Sequence, residues 1–142
     1  MTSQNSDSIS IENFLESWSG DERSMRSWFQ LFYDKLQAME GVTCSFVARP
    51  GVSFSLRPKH VNQKARELFA IVDVIDDDPQ ERWLSVCFYG DMISDPEERG
   101  ELIPGGLAGS DGYCFDMFDD DESLAAYLTE RISEAGSAAA RG

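Results

Sequence analysis

VTCSFVARPGVSFSLR, residues 42–57, is the stretch whose reading decides the fold. Val42, Cys44 and Phe46 alternate with Thr43, Ser45 and Val47, then Val52, Phe54 and Leu56 alternate with Ser53, Ser55 and Arg57. A period of two sends successive side chains to opposite faces, so both runs read as strands with one apolar face. Between them Arg49-Pro50-Gly51 supplies a fixed φ and then a residue tolerant of positive φ, which predicts a tight antiparallel connection. Pro58 stops the second strand.

Upstream of Gly41 the period is 3.6. Ile11, Phe14, Leu15 and Trp18 form the stripe of a short helix behind Ser10 that Gly20 ends. Ser19 and Glu22 stand in capping-box register before a second, longer stripe of Met25, Trp28, Phe29, Phe32, Leu36 and Met39. Both stripes are too aromatic for water and predict helices lying on one face of a sheet.

Downstream, a polar connection from Lys59 to Lys64 leads into Leu68–Ile75, apolar on both sides except for Asp73, which reads as a central strand. Asp76–Gln80 makes a turn, and Trp83–Tyr89 is a further strand. Asp95–Gly100 reads as a helical turn, and Pro104, Gly105, Gly106 and Gly109 mark a mobile loop. Tyr113–Phe118 is the last expected strand, before a helix capped at Asp119 with Leu124, Tyr127, Leu128 and Ile132 as its buried stripe. The expectation is a single α+β domain over residues 1–142. It has an antiparallel sheet of about five strands, two N-terminal helices and a C-terminal helix packed on it, and frayed ends at 1–9 and 136–142.

Charge is distributed unevenly along this frame. Residues 41–66 carry Arg49, Arg57, Lys59, Lys64 and Arg66 and no acid, whereas residues 1–40 hold seven acids against three bases and residues 67–142 nineteen against four. The net charge is −14. A cationic island on an anionic protein concentrates field where a small anion or an acidic partner settles, while the remainder repels polyanions, so nucleic acid is not the expected partner. A 42% hydrophobic share with nine Phe and three Trp builds a core and argues against a disordered acidic chain. Three cysteines at unrelated spacings exclude a complete disulfide framework and suggest a reducing compartment. Met1–Ser8 lacks the basic and apolar regions of a signal peptide, and no apolar run is long enough for a bilayer, so a cytoplasmic protein with no membrane partner is expected.

The segments SFSLRPKH (53–60), LFAIVDVIDDDPQERWLSVCFYGDMISDPEERGE (68–101), IPGGL (103–107) and DGYCFD (111–116) resemble a small bacterial protein family of uncharacterised function. The layout of helices followed by hairpins is similar to domains of the YjbR and YdhG kind, some of which are described by a double-wing topology. The resemblance supports the fold and implies no activity.

Arg49, Arg57, Lys59, His60, Lys64 and Arg66 are the candidate ligand-binding residues. Arg offers a carboxylate or phosphate a bidentate fork and Lys a point charge. The bland counterpart is a set of charges offsetting an acidic surface. His60 is the only histidine, either an acid/base group or an exposed loop residue. Asp73 and Asp116 each interrupt an apolar strand, so each must be paired, hydrogen-bonded or protonated, with Arg66, Arg57 and Arg82 as candidate partners. Cys44, Cys87 and Cys114 sit in strands as small core residues, with Cys87 the one conceivable nucleophile and no Cys-x-x-Cys knuckle for zinc. No segment fits a catalytic, metal, nucleotide or cofactor motif. The leading expectation is a non-enzymatic binding module holding an anionic ligand or acidic partner in its basic segment. Its alternatives are a small hydrolase or transferase with carboxylate acid/base chemistry, and an acidic mimic or inhibitor of a basic partner.

Overall fold

In the computed structural model, which describes residues 10–20, 23–107 and 109–142, the alternating runs pair as strands. β1 (Val42–Arg49) and β2 (Ser53–His60) form the expected hairpin, in unbroken register from Val42 opposite His60 to Arg49 opposite Ser53, and β2 does not stop at Pro58 but runs through it, opposite Cys44. Gly51 holds φ at +86° where Val52 N–H donates to Arg49 C=O across the turn. β3 (Ala70–Ile75) and β4 (Trp83–Tyr89) follow, then β5 (Glu101–Leu107) and β6 (Ser110–Met117). The strands lie in the order β1-β2-β3-β4-β6-β5, with every neighbouring pair antiparallel.

The sheet has six strands rather than five. β5 covers the segment expected as a glycine loop, pairing Glu101 with Cys114, Leu102 with Tyr113 and Ile103 with Gly112 before its register shifts. An unpaired edge of β6 is reason enough to recruit it, and Pro104 and Gly105 limit it to an irregular edge strand. The Asp95–Gly100 segment is a turn and not a helix. The Asp95 carboxylate accepts from Arg99 N–H and Gly100 N–H and is bound by the Tyr127 hydroxyl.

α1 (Ile11–Ser17), capped by Ser10 through Asn13 N–H, α2 (Met25–Gln37) and α3 (Glu122–Arg141) all contribute to one apolar core. The core takes Phe54 and Leu56 from β2, Val72 and Val74 from β3, Leu84, Val86 and Phe88 from β4, and Phe115 and Met117 from β6. Alternation puts these on one face, so the described helices cover one face of the sheet and none of them covers the other. α3 runs through Gly136 to Arg141, where fraying is expected from composition, because Ala135, Gly136 and Ala139 are buried. The expected end at 1–9 lies outside the described residues, as does Glu22 of the expected capping box, and Ser24 precedes α2 without a side-chain cap. No described helix is long and apolar enough to cross a membrane.

Phe14 of α1 stacks on Phe54 at 4.1 Å between ring centroids and also meets Phe46, Phe29 and Trp18. The Arg82 guanidinium lies 5.1–5.4 Å from the rings of Phe14, Trp18 and Phe54. Its Nε is 2.7 Å from Asp76 Oδ1, and Asp76 Oδ2 accepts from Gly51 N–H at 2.8 Å. This pair joins the β1–β2 turn, the β3–β4 connection and the aromatic wedge of α1. With Asp76 only 3% exposed, removing its cation leaves a buried charge uncompensated. Arg82→Ala is therefore expected to lower unfolding free energy by roughly 3–5 kcal/mol, measured by urea denaturation; a loss below about 1 kcal/mol would show the pair to be peripheral.

Candidate functional site

The connection after β2, residues 61–69, is held down by its own side chains. Arg66 makes a bidentate ion pair with Asp91 at 2.8 and 3.1 Å and lies 3.9 Å over the Tyr89 ring. That pairing raises the Arg66 pKa and lowers that of Asp91. Phe69 is fully buried, Asn62 Nδ2 donates to Ala140 C=O at the end of α3, and Gln63 Nε2 donates to Leu68 C=O. Between this connection and the helix-free side of the β1–β2 hairpin lies a cavity of about 750 Å³. Its size is that of a small-molecule site.

Arg57, Lys59, His60, Lys64 and Arg66 all line it, and Glu67 is the one acid in its lining. Arg57 and Lys59 belong to the β2 face away from the core, opposite the short Ser45 and Thr43 of β1. Arg57 Nε donates to Ser55 Oγ at 3.0 Å, and Lys64 Nζ donates to Val61 C=O at 3.2 Å. Among the described residues no carboxylate lies within ion-pair distance of Arg57, Lys59 or Lys64. Arg49 is elsewhere: it stands opposite Ser53 at the turn end of the hairpin and outside the cavity lining.

His60 is neither exposed nor in a loop. It ends β2 at 8% exposure, and its Nδ1 accepts from Asn62 N–H at 3.0 Å. Gly41, at φ +83°, lies so close that a Cβ there would come within 2.7 Å of the imidazole. The ring is packed in place, which makes it part of the wall.

Asp73 and Asp116 occupy one row across the helix-free face, where Ser55, Asp73, Ser85 and Asp116 are successive register partners. Burial pushes the Asp73 carboxyl up, opposed by a hydrogen bond from Ser55 and the charges of Arg57 and Arg49. Its Oδ1 is buried without a hydrogen-bond partner among the described residues. Asp116 is also raised by burial, with Ser85 lowering it and Glu101 raising it. Neither carboxylate has the guanidinium partner expected: Arg82 pairs with Asp76, Arg66 with Asp91, and Arg57 reaches Asp73 only through Ser55.

In the next row Cys87 and Cys114 are disulfide-bonded, their Cα atoms 4.1 Å apart at directly opposed positions of β4 and β6. This corrects the expectation of thiols kept reduced, and it removes Cys87 as a nucleophile in this state. Cys44 is the free cysteine, and burial pushes its thiol up to about 11. The pairing had no sequence signal, since it depends on the register of strands 27 residues apart. Among the described residues no group of three or more His, Cys, Asp or Glu could hold a metal ion. No family model, curated protein or solved structure matches the chain.

The raised Asp73 carboxyl has a signed consequence for stability. A folded-state pKa above the unfolded one favours the folded protein below the unfolded value and loses that contribution as pH rises through the folded value. Asp73→Asn, which cannot ionise, should therefore raise the thermal midpoint by on the order of a few degrees near pH 7 and leave it nearly unchanged near pH 3. Equal effects at both pH values, in paired calorimetric scans, would show that the carboxyl is not strained by burial.

Proposed function

We propose that this protein is a non-enzymatic binding module in which the basic segment holds an anionic ligand or the acidic part of a partner. The carrying observation is the convergence of Arg57, Lys59 and Lys64, none with a carboxylate in ion-pair range among the described residues, on one cavity of a chain with net charge −14. Cations without a carboxylate partner favour an anion, and the surrounding negative surface confines such a ligand to this place. Thr43 lines the same cavity and adds a neutral hydroxyl, while the Ser45 hydroxyl donates to Arg57 C=O and Gln63 Nε2 to Leu68 C=O. A hydrolase or transferase reading would draw on Asp73, whose carboxyl is raised by burial, but Cys87 is bonded to Cys114 and offers it no nucleophile.

The test is a thermal-shift and calorimetric titration with inorganic phosphate, citrate and oligoglutamate at low ionic strength. A ligand present at about a hundred times its Kd adds about 2.7 kcal/mol to apparent stability, a rise of several degrees. Lys59→Glu combined with Lys64→Glu should abolish that rise, while Arg49→Glu, outside the lining, should leave most of it. No stabilisation by any of the three anions, or equal stabilisation of the double variant, overturns the proposal.

A further inference from the structure

We infer that the outer edge of β1 is a docking strand for an extended, acidic segment of another protein, which joins the sheet there with its carboxylates set against Lys59 and Arg57. The inference rests on the binding-module reading and names the partner.

The two edges of the sheet differ. β5 is blunted in the usual ways, by Pro104, Gly105 and Gly106, a register shift and the acid Glu101. β1 carries none of these devices: eight residues in unbroken register with β2, without proline or glycine, and charged only at its last residue, Arg49. Among the described residues no strand pairs with its outer side. A long unprotected edge presents alternate N–H and C=O groups to any segment able to extend beside it.

Side chains on both faces specify the chemistry of that segment. On the core face Val42, Cys44, Phe46 and Ala48 pack against the core but remain only partly buried, so the apolar layer stops half-covered at the edge. On the other face Thr43 and Ser45 stand beside Lys59 and Arg57. An added strand would lie about 10 Å from β2, two strand spacings, within the combined reach of a Lys or Arg and a Glu. The short Thr43 and Ser45 leave that path clear. The fitting segment alternates apolar and acidic residues. A second copy of this chain fits less well, since pairing β1 with β1 sets two cationic rows together and brings two bodies of charge −14 into contact.

The experiment uses the isotope-labelled full chain and a short, end-blocked peptide of alternating Glu and Val, with amide hydrogen exchange and Cys44 alkylation as readouts. The expected result is slowed exchange at alternate β1 amides and slower alkylation of Cys44. Binding should fall at least about tenfold with Lys59→Glu, with a Lys/Val peptide, or when the peptide amides on the pairing side are N-methylated. The inference is overturned if the peptide binds while β1 amides exchange unchanged, or if inorganic phosphate binds and the peptide does not; either outcome leaves the cavity reading standing. Equal binding of the N-methylated peptide also overturns it. So does protection of β1 without peptide that grows with protein concentration, which would make the occupant a second copy. Failure of both phosphate and the peptide removes this inference and the cavity reading together.

Discussion

Among the described residues no connection between consecutive strands carries a helix, and this sets what the molecule can do. The described helices come from the two ends of the chain, and each contributes to one core. The second face receives the loop residues 61–69, clamped by Arg66 on Tyr89 and Asp91, and otherwise carries a mixed surface that includes Ser55, Ile71, Asp73, Trp83, Ser85 and the Cys87–Cys114 pair. On that face a cavity forms where the loop stands off the sheet, which is where Arg57 and Lys59 project. The location of the candidate site is thus a consequence of topology before it is one of charge.

The hairpin that carries the site is fixed at both ends by different means. At its turn, Asp76 receives Gly51 N–H and the Arg82 guanidinium, and three aromatic rings enclose that guanidinium. At its open end, the His60 ring fills the space that a side chain at residue 41 would need, and Val61 N–H donates to Gly41 C=O. Both devices are local and rigid, so the face between them can present cations without rearranging. Held this way, side chains on strands position a ligand better than side chains on a loop would.

Much of this was legible in the residues. The shift from a 3.6 period to a period of two at Gly41 located α2, β1 and β2, and the acid-free run named five of the residues that line one cavity. What escaped reading depended on partners distant in sequence. β5 has the composition of a loop and becomes a strand because β6 needs a neighbour. The end of α3 is small and flexible in composition, yet Gly136 lies so close to Met39 that a Cβ there would come within 2.8 Å of its sulfur, so smallness is what the packing requires. Asp76 looked like one member of an acidic turn, and nothing local distinguishes it from Asp77 or Asp78. Register made the Cys87–Cys114 bond, and register is invisible until the strands are aligned.

Two groups stand out among the cations, and the difference between them bears on function. Arg66, Arg82, Arg99 and Arg131 each have a carboxylate within 4.0 Å and hold a loop, a turn or a helix in place. Arg57, with Lys59 and Lys64, has none among the described residues, in a chain of twenty-six acids. One candidate to neutralise Arg57 is Asp73, and its burial works against carrying the charge that would do so. An acid-free stretch of sequence has become a cavity with a single acid, Glu67, in its lining and no carboxylate in ion-pair range of Arg57, Lys59 or Lys64 among the described residues. Cations held apart from abundant internal acids are available to an external one, and that availability is the physical basis for assigning the anion to this face.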